Sequence, residues 1–205
     1  MATLNATNLK HASSGSNNIV LASDGSTTIS NLSGGVGKIL QVVSTPVDAY
    51  SSMALSTQYS FYEITPLTTN ITTTAANSKI LVSAGICGEG NHEDYNIGIR
   101  CGRVIGGSLS ILFLGATAGS RLSVLGMHNG SYFSNDQNST TAYNSFSNML
   151  DLPNQSAGTT ITYKFFLATL AGANCTYYLN GTVGNSDTQS HERTFSHLTL
   201  QEVSA

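Results

Sequence analysis

Residues 79 to 87 read KILVSAGIC, which puts Ile80, Val82, Ala84 and Ile86 on one side of an extended chain and Leu81, Ser83 and Gly85 on the other. A two-residue period is that of a strand buried on one face. The pattern recurs along the chain, and no segment sustains the 3.6-residue period of an amphipathic helix. Tyr95, Ile97, Ile99 and Cys101 alternate with Asn96, Gly98 and Arg100. Gly102 is read as a bulge that resets the phase before Arg103, Val104 and Ile105, and Gly106-Gly107 as the turn into 108–114. Ile161, Tyr163, Phe165 and Leu167 form another alternating face, Cys175, Tyr177 and Leu179 a further one, and the chain closes on a strand at 195–203. With segments at 38–44, 59–64, 70–74, 121–127 and 145–150, the expectation is an all-β, jelly-roll-like antiparallel sandwich.

The composition agrees. Charged residues are 9% of the 205, against roughly 25% in an ordinary globular protein, while hydrophobic residues are 40%. Ser, Thr, Asn and Gly take the place of charge, which disfavours disorder and suits short strands with hydroxyl-rich outer faces. Net charge is −3 with Lys and Arg scattered singly, so no basic stripe marks a nucleic-acid partner. The longest apolar window, Leu109 to Leu114, falls far short of the ~20 residues that span a bilayer. MATLNATNLK has neither the basic nor the apolar region of a signal peptide. The expectation is a soluble protein made in a cytoplasm, without nucleic-acid or membrane partners.

Several strands are apolar on both faces, and this points to self-association. Ile39, Leu40, Val42 and Val43 cannot all enter one core, nor can Ile111, Leu112, Phe113 and Leu114, while Phe166 and Tyr178 fall on nominally outward sides. Sandwich strands normally keep one polar face. Leu40, Val42, Leu112, Leu114, Phe166 and Tyr178 are therefore candidate oligomer-interface residues in a symmetric homo-oligomer. A central strand covered by loops is the plainer alternative.

The sequence carries few residues in patterns that point to chemistry. Cys87, Cys101 and Cys175 lack metal-type spacing and read as buried free thiols, with a Cys87–Cys101 disulfide as the sharper alternative. Asn91-His92-Glu93-Asp94 is the densest ionisable cluster, but reads as a solvated loop. His191 and His197 would lie about 20 Å apart on an unbroken strand, too far to share an ion. There is no Gly-x-Ser-x-Gly elbow, Walker loop or dinucleotide fingerprint. No catalytic, metal or cofactor residue is assigned, and a non-enzymatic protein is expected. The competing readings are a polysaccharide-degrading enzyme using carboxylates among Glu63, Glu89, Glu93, Asp94 and Asp136, and a lectin-like carbohydrate-binding module. The stretch His128 to Asn144 mixes aromatic and short polar side chains, a composition suited to recognition, with His128, Asn129, Tyr132, Phe133 and Tyr143 as candidates.

Residues 17 to 32, NNIVLASDGSTTISNL, read as a weak hairpin about Asp24-Gly25. With those two residues at the turn, Leu21 faces Thr28, Val20 faces Ile29 and Ile19 faces Ser30. Such a hairpin buries too little to fold alone, so Ile19, Val20, Leu21, Ile29 and Leu32 are candidate docking residues of an arm. Gly34-Gly35-Val36-Gly37 is the candidate hinge between an N-terminal arm, residues 1–36, and a sandwich, 37–205.

The opening ATLNATNLKHASSGSNNIVLASDGSTTISNL, with GGVGKILQVVST, SKILVSAGI, YNIGIRCGRVIGG and the ending LTLQEVSA, resembles virion structural proteins of tailed bacteriophages, especially phages of cyanobacteria and marine bacteria, of the tail-fibre-like or head-decoration type. The resemblance covers about two thirds of the chain and is most specific in the arm, whereas 128–156 departs from it. It implies a non-enzymatic homotrimer on the particle exterior, made in the host cytoplasm. The arm would attach to capsid or tail proteins and the sandwich face outward, as a capsid decoration or as a fibre or spike adhesin for a host cell-surface glycan.

Overall fold

The computed structural model describes residues 8–9, 12–13, 15, 19–21, 23, 27–29 (backbone), 38–92, 96–128, 141–189 and 191–205. The chain divides into two compact units, Met1–Val36 and Gly37–Ala205. The described residues hold fourteen strands, all pairings between them are antiparallel, and there is no helix among them.

In the first unit, β1 (Asn8–Leu9), β2 (Ile19–Leu21) and β3 (Thr27–Ile29) form a three-stranded sheet in the order β1-β2-β3. Its register differs by one residue from the hairpin expected. Ile19 lies opposite Ile29, Val20 opposite Thr28 and Leu21 opposite Thr27. An odd number of residues, 22–26, then separates the paired ends, which a two-residue Asp24-Gly25 turn cannot provide. A one-residue slip changes every cross-strand partner. Because Leu9 pairs with Ile19, positions Leu9, Ile19 and Ile29 now line up across the sheet. Leu32 lies outside the described residues.

The second unit is the expected antiparallel sandwich. One sheet holds β4 (Ile39–Val47), β5 (Ser51–Leu55), β7 (Lys79–Gly90), β11 (Ala142–Asp151), β13 (Cys175–Leu179) and β14 (Ser196–Val203), in the order β4-β14-β7-β13-β5 with β11 on β7. The other holds β6 (Tyr62–Thr72), β8 (Ile97–Ile105), β9 (Ser108–Leu112), β10 (Gly126–His128) and β12 (Thr160–Thr169), in the order β10-β8-β12-β6 with β9 on β8. The alternating residues meet between them. Ile80, Val82, Ala84 and Ile86 of β7 and Leu198 and Leu200 of β14 pack against Ile97, Ile99 and Cys101 of β8 and Ile161, Tyr163, Phe165 and Leu167 of β12.

Two local expectations are corrected. Gly102 is not a bulge, since β8 runs in unbroken register with β12 and β9 through it. A Cβ there would come within 2.8 Å of both Leu109 and Phe166, so the glycine makes room for two side chains. The segment 121–127 is strand only from Gly126. Cys87 and Cys101 are the buried free thiols expected, one in each sheet, and the alternative disulfide between them is not formed. The Gly106-Gly107 turn stands, both glycines having positive φ, +55° and +83°, as a type I′ hairpin turn requires.

Polar side chains also tie the sandwich together. Asp151 of β11 accepts hydrogen bonds from Arg103 Nη1 of β8 (2.7 and 2.9 Å) and from Tyr163 Oη of β12 (2.6 Å), an ion pair linking the two sheets. Asn180 donates to the carbonyls of Val47 and Ala49 and accepts from Ser196 Oγ. Glu202 is fully buried, and its carboxylate accepts from Gln41 Nε2, from Thr74 N and Oγ1 and from Ala75 N. Burial alone would raise its pKa, but hydrogen bonds from Gln41, Ser78 and Thr74 outweigh it and hold the carboxyl at about 2, below its ordinary 4.5. A depressed carboxylate contributes its full stability above the unfolded value and loses it as pH falls through the folded one. Glu202→Gln is expected to lower stability at pH 7 by about 1–3 kcal/mol and to flatten the loss between about pH 4.5 and 2, measured by urea unfolding across that range.

Candidate interaction surfaces

The outer faces of the two sheets differ in kind. In the β4-β14-β7-β11 portion, Val42 pairs with Gln201, Gln201 with Leu81, and Leu81 with Leu150, a row across four strands. The next row sets Ile39 beside Val203 and Val203 beside Lys79. These positions alternate with the buried ones, so all face outward. Val42 is 57% and Leu150 50% exposed. Lys79 is the only charged side chain in the two rows. The outer face of the β8-β12-β6 sheet instead carries the Glu63–Lys164 bridge, 2.9 Å, and Arg100 over the Phe61 ring at 3.9 Å. It holds hydroxyl and amide contacts as well, such as Thr72–Thr160 and Thr162 to Asn70. A face with fixed, satisfied charges keeps its water, whereas the Val42–Leu81–Leu150 face gains by losing it.

A hydroxyl row, in which Ser44 Oγ meets Thr199 Oγ1 at 2.8 Å beside Ser83, separates the apolar rows from an aromatic patch. Tyr143 of β11 lies over Gly85 of β7, where any Cβ would collide with the phenol and with His197 of β14. Phe195 continues the patch, its ring 6.0 Å from the His197 ring with planes at 20°. Tyr143 and Phe195 are 55% and 50% exposed.

The proposed interface residues separate on this map. Val42 lies in the central apolar row. Leu40 is the extra residue at a bulge, between the Gln41–Glu202 and Ile39–Val203 pairs. Leu114 is exposed on the loop after β9. Leu112 packs against the core. Phe166 is on the outer side of β12 but buried, crossing Gly102 beside Leu109. Tyr178 stacks on Tyr50, centroids 6.1 Å apart, with the Arg193 guanidinium over Tyr50. Ile39, Leu81, Leu150 and Val203 were not selected from the sequence. Two of them carried a signal: Ile39 belongs to a strand apolar on both faces, and Leu81 is a leucine on the solvent side of an alternating strand.

Of the recognition candidates, Tyr143 is displayed, while Asn129, Tyr132 and Phe133 lie outside the described residues. His128 points inward and is 2% exposed. Its Nδ1 meets Asn144 Oδ1 at 2.5 Å, so Nδ1 carries the proton, and its ring sits edge-on to Tyr177. Burial pushes its imidazole down to about 4, which keeps it neutral. The carboxylates considered for catalysis are spoken for where described: Glu63 pairs with Lys164, and buried Glu89 accepts from Val183 N. Glu93, Asp94 and Asp136 lie outside the described residues. No group of three or more potential metal ligands occurs among the described residues.

No family model and no curated protein matches the sequence. Among solved structures, the chain is similar to the structure of the infectious bursal disease virus Gx strain, at 11% identity and a TM-score of 0.38, over 80% of this chain and 36% of that one. It is also similar to the crystal structure of the infectious bursal disease virus VP2 subviral particle, at 9% identity and a TM-score of 0.36, over 80% of this chain and 42% of that one. The chain thus spans less than half the length of either. A likeness so distant says nothing of activity or partners.

Proposed function

We propose that this chain is a non-enzymatic structural protein of a phage particle, whose sandwich assembles as a homotrimer and whose N-terminal unit attaches it to other virion proteins. The observation that carries the assembly is the outer face of the β4-β14-β7-β11 sheet, where Ile39, Val42, Leu81, Leu150 and Val203 leave Lys79 as the only charge in two rows. The virion assignment is supported by the resemblance of the arm and strand stretches to tailed-phage structural proteins. In the arm, the register adds Leu9 to Ile19 and Ile29, an apolar line that a three-stranded sheet of two- and three-residue strands cannot cover by itself.

Native mass measurement is expected to give three times 21.5 kDa, and a 21.5 kDa species alone at all concentrations overturns the trimer. Deleting residues 1–33 is expected to leave a folded sandwich that no longer joins particles during phage assembly. Normal incorporation of the truncated protein overturns the attachment role.

A further inference from the structure

A pocket of about 480 Å³ opens where β12 ends, lined by Tyr59, Ser120, Arg121, Leu122 and Leu170. Its volume is in the range of small-ligand sites. Tyr59 is its most unusual wall. This bulky residue has φ +66°, in the left-handed region that side chains other than those of Gly and Asn rarely enter, and its side chain is 58% exposed. Such a conformation is destabilising and persists only where the surroundings over-determine it. They do so here. Tyr59 N donates to Thr169 O at 2.9 Å, Gln58 Nε2 donates to Leu170 O at 3.2 Å, and Thr57 N and Ser56 Oγ both meet Tyr62 Oη. The strained residue is not held for packing, since its ring is largely in solvent.

The opposite wall is braced to the same sheet. Arg121 N donates to Ala118 O, Arg100 Nε donates to Ser123 O at 2.9 Å, and Leu125 N donates to Ile99 O at 2.8 Å. Arg121 itself makes no ion pair among the described residues. The lining of the pocket therefore combines an aromatic residue and two leucines with one arginine and one serine as its polar residues. A pyranose offers a C–H face to such walls and hydroxyls to Ser120. A guanidinium adds a fork that matches a carboxylate bidentately.

We infer that this pocket binds a carboxylate-bearing sugar unit, a hexuronic acid, of a polysaccharide. The site rests on and deepens the reading of a displayed virion protein, because it gives the sandwich a surface glycan to hold. It does not require the trimer, so its failure and the failure of assembly are read separately: native mass reports one and sugar binding the other.

The test is titration of the full-length protein with a glucuronate-terminated trisaccharide, alongside its glucose-terminated counterpart and inorganic phosphate, followed by calorimetry and by saturation-transfer NMR. The glucuronate sugar is expected to bind at least tenfold more tightly than the glucose sugar, with phosphate not competing. Arg121→Gln should weaken the acidic sugar tenfold to a hundredfold and leave glucose-sugar affinity unchanged. Tyr59→Phe should keep binding. Tyr59→Gly should lose it while melting at the same or a higher temperature, because glycine accepts the positive φ without strain. This last variant separates a binding role from a folding role. Equal affinity for the two sugars, competition by phosphate, or undiminished binding by Tyr59→Gly or Arg121→Gln overturns the assignment.

Discussion

Replacing Asp151 with Ala is expected to destabilise the protein by about 3–5 kcal/mol, the cost of leaving half of a buried ion pair without its partner. The Arg103 guanidinium would keep its charge between the sheets, and Tyr163, fully buried, would lose the acceptor of its hydroxyl. Burial raises the Tyr163 pKa, with the Asp151 hydrogen bond adding to the shift, so the phenol remains a donor over the whole accessible pH range. Burial, with Asp151 adding to it, likewise pushes the Cys101 thiol up to about 12, keeping it uncharged beside the pair. Urea unfolding of Asp151→Ala should show a large fall in midpoint with an unchanged slope. The triple variant Asp151→Leu, Arg103→Met, Tyr163→Phe removes every group that the single change orphans. It should recover most of the loss, since apolar replacement of a whole buried pair is often neutral or stabilising. A single variant within 1 kcal/mol of wild type would show that water reaches the pair and screens it.

The second large effect concerns assembly rather than folding. Val42 and Leu150 are at least half exposed in the single chain. Glutamates there should therefore change stability by no more than about 0.5 kcal/mol, as surface substitutions usually do. In an oligomer that buries the face, each introduced carboxylate must be desolvated without a partner, a penalty of several kcal/mol per group and per copy. The double variant Val42→Glu, Leu150→Glu is thus expected to run at the mass of one chain with an unchanged unfolding midpoint. Glutamates at Asn70 and Thr162, on the charged outer face of the other sheet, should leave the assembly intact. Assembly that tolerates the first pair and fails with the second would move the interface to the opposite sheet.

Much of the architecture was legible because it depends on local alternation. Which side of β7 or β12 enters the core follows from hydrophobic residues two apart, and Ile80, Val82, Tyr163 and Phe165 lie where that period puts them. The Gly106-Gly107 turn was legible for a similar reason, as two adjacent glycines satisfy the two positive φ values of a tight hairpin. Gly102 was misread because a glycine within a strand has two explanations, a bulge or a close approach. The choice depends on Leu109 and Phe166, which only the folded sheet brings together. The arm register was misread by one residue because Asp-Gly favours a two-residue turn, whereas pairing Ile19 with Ile29 and Leu21 with Thr27 leaves an odd number of residues between the paired ends.

The surfaces were less legible than the core. Phe166 and Leu112 are apolar on strands with a second apolar face, yet neighbours from β9 and the core cover them. Leu81 and Leu150 are 69 positions apart, Leu81 has only Lys79 and Ser83 beside it on its own side of the strand, and the two leucines meet only when β11 pairs with β7. Tyr59 gave no sign at all, since a positive φ at a tyrosine is imposed by its hydrogen bonds to Thr169 and the Tyr62-braced loop and not by its own preference.

By itself the sequence determined that the chain folds as strands, which side chains those strands turn inward, and that little charge is available for its outer surface. These are consequences of composition and of a two-residue period, both of which are local. The tertiary structure alone decided which strands are neighbours and in what register. That choice is made by closure of long loops and by the packing of two sheets, and it brought Asp151 to Arg103, aligned Val42 with Leu81 and Leu150, and held Tyr59 open beside Arg121.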